Sequence, residues 1–267
     1  MMQNKKRDFK LHMGLILAGI IVTLILWGLI RAPHDPEQMD VAMRLAKGSL
    51  QHPMGCDQFG RDIFSRVMIG ARTTLFIAFG TNLIGAFFGT LIGALTGYFG
   101  GFFDEILMRF NDVVLSFPSI LLALVFIALM GPGKYQVMIS MGIVFTPSYA
   151  RIVRSEFIKF RNMDYVTAVR LMGADHFRIM FLHILPNVKG TLLTSLIIGF
   201  NNAVLCEAAM SFLGIGVQPP DASLGLMLSD AQAFLFASPA YALYVGAVMV
   251  MMILSFALLS DSFQEER

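Results

Sequence analysis

Charge is scarce in this sequence. Asp, Glu, Lys and Arg make up 14% of its 267 residues, against roughly 25% in an ordinary soluble domain. With 56% hydrophobic residues and a mean hydropathy of +0.69, a water-soluble globule is excluded and an integral membrane protein remains. Cysteine is equally sparse: Cys56 lies in a polar connection and Cys206 in an apolar run. A bridge would join two depths of a bilayer, so free thiols are expected rather than a disulfide framework. The basic residues are spread out with no aromatic-interleaved stripe, which excludes nucleic acid as a partner.

Chemistry is also missing. There is no phosphate-binding loop: the Gly133–Lys134 pair is followed by Tyr135 instead of Ser or Thr, so ATP must be bound elsewhere. The histidines, His12, His34, His52, His176 and His183, sit near span ends or in connections, and no Ser, His and Asp set falls at one depth. His52 and Cys56 have a soft-metal spacing, but Pro53 and Gly55 between them argue against a helix, and two ligands do not make a site. A gradient-driven carrier would bury several ionisable relays, and only Glu207 qualifies.

What is present is a series of apolar runs. A spanning helix needs about 20 residues at ~1.5 Å each to cross a ~30 Å hydrocarbon core. Six intervals read as spans, the fourth short and containing Pro147 but extended by its flanks and by tilt: Leu11 to Ile30, Thr73 to Phe103, Val113 to Gly133, Tyr135 to Ala150, Gly190 to Cys206 continuing towards Leu213, and Ala231 to Ser260. The expectation is an all-α membrane protein with six transmembrane helices over 11–260, an amino-terminal tail over 1–10 and a carboxy-terminal tail over 261–267. With the amino terminus inside, the inner segments hold 13 of the 20 Lys and Arg residues and the outer ones 7, which places both termini in the cytoplasm. The first outer connection resists the rule with six basic residues, offset by Asp35, Glu37, Asp40, Asp57 and Asp62. The first span lacks a cleavage site and reads as an uncleaved anchor.

Gly85, Gly89, Gly93 and Gly97 recur every fourth residue and leave one face of the second span bare for close helix approach, either within the subunit or against a partner. Asp104, Glu105, Arg109 and Asp112 belong at the cytoplasmic surface, with Pro118 bending the third span as it enters the membrane. The Gly- and Pro-rich stretch from Ser211 to Pro239 predicts a folded outer loop with a short helix. Asn201 and Asn202 either line a polar route or hydrogen-bond between helices; Glu207 either bonds to the following loop or meets substrate.

One charged island interrupts the apolar runs, 164–187, "DYVTAVRLMGADHFRIMFLHILPN". Asp164 predicts an N-cap, and Tyr165, Ala168, Val169 and Met172 follow helical spacing up to Gly173, a residue suited to the left-handed position that ends a helix. After Ala174 the pattern restarts. Asp175 predicts a second cap, Phe177, Met180, Phe181 and Ile184 an apolar face, and Pro186 closes the helix at Leu185. Two short amphipathic helices make a knob that either lies in the lipid interface or fills a groove on another protein.

The island resembles the EAA loop of binding-protein-dependent ABC importer permeases. Ala168, Gly173 and Pro186 match that pattern, while Thr167 stands where the family has Glu and Val169 where it has the second Ala. "HPMGCDQFGRDIFSRVMIGARTTL", "GYFGGFFDEILMR", "SFPSILLALV", "DYVTAVRLMGA" and "EAAMSFLGIGVQPPDASLGLMLSDA" look like the second permease of the dipeptide, oligopeptide and nickel branch. The resemblance implies a type I ABC importer permease with the MetI-like fold in a bacterial inner membrane, not an enzyme. Its implied partners are a second homologous permease, two cytoplasmic subunits that bind ATP and Mg, an extracytoplasmic substrate-binding protein and the lipid bilayer. Residues 164–187 would then couple to the ATPase, and the cargo would be a short peptide or, alternatively, nickel or a metal chelate. A non-conducting assembly protein and a gradient-driven carrier are the readings from other classes.

Overall fold

The computed structural model describes residues 2–264; Met1 and residues 265–267, the extreme ends of the expected tails, lie outside the described residues. The helices are α1 (Met2–Arg31), α2 (Ile63–Phe99), α3 (Gly101–Ser116), α4 (Ser119–Met130), α5 (Lys134–Arg161), α6 (Asp164–Leu171), α7 (His176–Arg178), α8 (Leu185–Phe212), α9 (Leu224–Gln232) and α10 (Pro239–Gln264), with a π-helical stretch, Ile179–Ile184, joining α7 to α8. Among the described residues there is no strand, only an isolated bridge between Cys56 and Asp62.

Among the described residues four helices are long and apolar enough to cross a membrane: Asp8–Arg31, Ile63–Phe99, His176–Phe212 and Pro239–Ser262; α3 and α4, bent by 93°, add a fifth if they form one span. The bend falls at Phe117–Pro118, where proline cannot continue the ladder. It leaves amphipathic α3 lying across the direction of the 12-residue apolar α4. The interval read as the fourth span is the first part of α5, whose 28 residues reach about 42 Å but are more polar than the others. Two of its arginines are paired with acids on α3: Arg151 meets Asp112 at 2.7 Å, and Arg154 grips Asp104 with Nε at 2.5 Å and Nη2 at 2.6 Å.

Other boundaries move for local reasons. α2 starts ten residues before Thr73, with the Asp62 carboxylate accepting from Ser65 N–H as an N-cap. It stops at Gly100 and Gly101, both in the left-handed region at φ 68°. The last span begins at Pro239 rather than Ala231, because α9 and the turns after it occupy 224–238.

α2 and α5 pack along their lengths through the glycine stripe. A Cβ added at Gly97 would stand 2.6 Å from Phe157 Cβ, one at Gly93 2.8 Å from Val153 Cβ, and one at Gly89 2.7 Å from the Thr146 carbonyl oxygen; Gly85 meets Phe145 at 3.2 Å. The missing side chains let the two backbones meet, which substitutes for a hydrophobic driving force that lipid does not supply. α1 lies outside, against α10, with Ile21 and Ile25 buried and most of its other apolar residues exposed, as a lipid-facing helix requires. Lys10 Nζ meets Asp261 at 3.3 Å, so the start of α1 and the end of α10 lie together.

Candidate functional site

The island folds as a rooted loop at the Phe99 end of α2. Met163, extended at ψ 149°, is the N-cap of α6, and Asp164, expected there, sits inside the first turn, where its charge meets the helix dipole. At the other end, Gly173 at φ 84° closes the helix: Gly173 N–H donates to the Arg170 carbonyl and Ala174 N–H to that of Val169, a Schellman arrangement. Asp175 is the N-cap of α7 but makes no side-chain capping bond.

Pro186 does not close the second helix. Leu185 keeps helical angles (φ −54°, ψ −40°), and its N–H reaches back five residues to the Met180 carbonyl. This wider π turn accommodates a proline ring that would clash in a regular α ladder. His176–Phe212 is consequently one unbroken helix.

The face also differs from the periodic expectation. Val166, Ile179, Met180, Ile184 and Val188 are fully buried against Tyr98, Val153 and Phe157, and full burial of such a side chain is favourable by roughly 1.5–3 kcal/mol. Val169 and Ala174 are partly buried on the same cluster. Tyr165, Ala168, Met172, Gly173, Phe177, Phe181 and Pro186 face outward instead, with Leu171 (85% exposed) and Leu182 extending the patch. Phe177 and Phe181 stack at 6.3 Å with their planes 8° apart. Val169, Met180 and Ile184 of the expected apolar faces turn inward, but Val166, Ile179 and Val188 beside them do not follow from the spacing, because an irregular turn at 172–175 and a π stretch shift the phase of the 3.6 period. The arms are tied together: Asn187 Nδ2 donates to the His183 carbonyl at 2.7 Å and to the Tyr165 hydroxyl at 3.3 Å. Tyr98 and His176 hydrogen-bond at 2.9 Å, tying α2 to α7.

A cavity of about 420 Å³ opens between α4, α5 and α8. Its walls are two helical stripes, Phe145, Ser148, Tyr149 and Ile152 on α5, and Ser195, Ile198, Gly199, Asn202, Leu205 and Cys206 on α8, with Ser119 from α4. No Asp, Glu, His, Lys or Arg lines it; hydroxyls and the Asn202 amide supply the polarity. Behind it Tyr149 donates to Asn82 Oδ1 on α2 at 2.5 Å. Of the three residues expected on a pathway, Asn202 is in the wall, and Asn201 is half-buried with an unbonded Oδ1. Glu207 is fully buried away from the cavity lining, accepting from Ser211 Oγ at 2.7 Å and Thr74 Oγ1 at 3.1 Å. The serines and Tyr149 were not singled out in the sequence, although Phe145, Ser148, Tyr149 and Ile152, and Ser195 and Asn202, follow helical spacing.

Beyond the Ile63 end of α2, the connection 32–62 forms a polar cap in which buried Asp57 binds Arg61 at 2.7 Å and lies 3.6 Å from Arg66. His52 turns away from Cys56, its sequence neighbour, and bonds to Asp62 at 2.9 Å. Burial, together with Asp62, Asp57 and Asp40, pushes the Cys56 thiol up, which keeps it neutral. Both cysteines are free.

Residues 85–265 match the family described as binding-protein-dependent transport system inner membrane component. The dipeptide transport system permease protein DppC of Alkalihalophilus pseudofirmus is 34% identical over 98% of this chain and 86% of its own length. DppC of Haemophilus influenzae is 35% identical over 94% and 88%. The glutathione transport system permease protein GsiD of Pectobacterium atrosepticum is 34% identical over 97% and 88%. Among solved structures, the MetNI methionine ABC transporter in inward-facing conformations matches with a TM-score of 0.62 at 18% identity, covering 73% of this chain and 93% of that one. An amino acid ABC transporter matches with 0.58 at 20% identity, over 76% and 94%. At these identities the two structures speak for the fold alone.

Proposed function

The chain belongs to the binding-protein-dependent transport system inner membrane components, multi-pass membrane permeases, and from that premise we propose that it forms half of the translocation pathway of an ATP-driven importer of short peptides. A second homologous permease supplies the other half. Two cytoplasmic subunits bind and hydrolyse ATP with Mg, and an extracytoplasmic binding protein delivers the peptide. Both termini and the 164–187 loop face the cytoplasm of a bacterial cell, in keeping with the Lys and Arg distribution.

One observation carries the reading: Phe177, Phe181 and Leu182 of the exposed apolar patch and the cavity wall of Ser195 to Cys206 belong to the same helix, His176–Phe212, with Leu171 and Met172 of the preceding arm beside them. An ATPase gripping Leu171, Met172, Phe177 and Phe181 thereby holds a wall of the cavity. ATP-driven closure shifts the population between inward- and outward-open forms through differential contact at that patch. An uncharged wall of hydroxyls and amide suits cargo of varied side chains, because it neither attracts nor repels a particular charge. The relatives named for dipeptide and glutathione transport support a peptide.

The loop is tested by Leu171→Asp and Phe177→Asp, which remove exposed apolar contact without touching the buried root. Expected is loss of ATPase co-purification and of dipeptide-stimulated ATP hydrolysis in proteoliposomes, with insertion and thermal stability kept. Normal uptake by both variants would overturn the coupling assignment.

A further inference from the structure

The polar cap at the Ile63 end of α2 brings together three donors that the transport reading does not use. Asp62, 1% exposed, points one carboxylate oxygen at His52 Nδ1, 2.9 Å away, and the other towards His34 Nδ1 at 3.8 Å. The two imidazoles stack with centroids 4.3 Å apart and planes inclined by 30°. Their ligand atoms and the carboxylate oxygen all lie within 4.8 Å of one another. His34 Nδ1 is buried and has no hydrogen-bond partner, so a lone pair or proton is left without a counterpart, which costs about 1–3 kcal/mol.

Each donor is held from behind. Ser65 donates to Asp62 through its backbone N–H at 2.8 Å and its hydroxyl at 2.7 Å. His34 N–H donates to that same hydroxyl at 3.1 Å, and His52 N–H to Ser49 Oγ at 3.1 Å. The bonds to Asp62 orient its carboxylate as outer hydrogen bonds orient metal ligands, while the two backbone N–H bonds fix the chain that carries the imidazoles. The surrounding cleft of about 130 Å³ is lined also by Asp35 and Asp40 but by no Lys or Arg, so its field favours a cation.

We propose that His34, His52 and Asp62 form a binding site for a borderline divalent transition-metal ion such as Zn²⁺. Two imidazole nitrogens and a carboxylate suit such an ion, with bonds of about 2.0–2.2 Å. Small side-chain rotations draw the three donors in to that distance, and water completes the shell. His34 follows α1, His52 lies in the connection and Asp62 caps α2, so the ion ties the cap to the helix that carries the glycine stripe. None of the three lines the cavity between α4, α5 and α8, so the site stands independently of which cargo that cavity passes.

The test uses the full chain in lipid nanodiscs, purified without a histidine tag, stripped with EDTA and titrated calorimetrically with Zn²⁺. One saturable equivalent is expected, with Co²⁺ giving visible d–d absorption at the same stoichiometry. His34→Ala, His52→Ala and Asp62→Asn each weaken Zn²⁺ binding at least about tenfold, and Asn keeps the helix cap. His12→Gln leaves binding unchanged. Absence of saturable Zn²⁺ binding and of the Co²⁺ band in the unmodified chain, or binding that survives His34→Ala and His52→Ala together, overturns the site.

Discussion

Tyr149 on α5 donates its hydroxyl to Asn82 Oδ1 on α2, and both atoms stand where a side chain at position 199 of α8 would have to go. Three helices meet at this bond because α8 carries no Cβ there. Asn82 is further fixed by donating Nδ2 to the Ala78 carbonyl at 2.8 Å.

Tyr149→Phe therefore leaves a buried amide oxygen without its donor and should lower stability by about 1–3 kcal/mol. Gly199→Ala should do at least as much by forcing the hydroxyl and the amide apart. Thermal unfolding in detergent checks both, with Tyr149→Phe expected to retain the helical content of the unmodified protein.

The glycine stripe makes a position-specific prediction. Gly93→Ala and Gly97→Ala push a methyl into α5, against Val153 and Phe157, and overpacking of this kind typically costs about 1–3 kcal/mol. Gly246→Ala, which meets open space, should leave the midpoint unchanged or raised. Equal responses at 97 and 246 would mean that α2 and α5 are not in the contact described.

Much of this contact was legible beforehand, because a four-residue glycine period marks a helix face whatever lies opposite it. What a period cannot give is phase across an irregular turn. The Schellman turn at Met172–Ala174 and the π stretch at Ile179–Ile184 each rotate the face, so Val166 and Ile179 turned inward while Phe177 and Phe181 turned out. Pro186 misled for a related reason: a proline stops an α ladder but fits a π turn, and nothing local distinguishes the two. Of the cavity only Asn202 was legible, since the apposition of Ser148 and Asn202 depends on long-range packing.

Glu207 separates bonding from charge. Glu207→Ala leaves Thr74 and Ser211 without their buried acceptor and should destabilise the outer loop, read as faster proteolysis between Leu213 and Ser238. Glu207→Gln keeps an acceptor oxygen and should behave nearly as the unmodified chain. If Gln abolished transport while stability held, the carboxylate would have a role beyond these bonds.

Asp230 on α9 gives a pH signature. Burial raises its carboxyl above the ordinary range, against the pull of Gln58, Arg66 and Arg61, with Asp57 adding to the rise. A raised acid holds its proton in the folded state after the unfolded chain has released it, so its stabilising effect is present at low pH and is lost as pH rises through the folded value. Asp230→Asn should flatten the fall in thermal midpoint as pH rises above about 4. An unchanged slope would show that Asp230 is not the titrating group.

The π stretch has one last consequence. Phe177 and Asn202 lie about 38 Å apart along one continuous helix, and the π stretch with Pro186 is where such a shaft flexes. A sideways push on the stacked phenyl rings swings the far end only as far as that bend is stiff, as a tiller turns its rudder through its own neck.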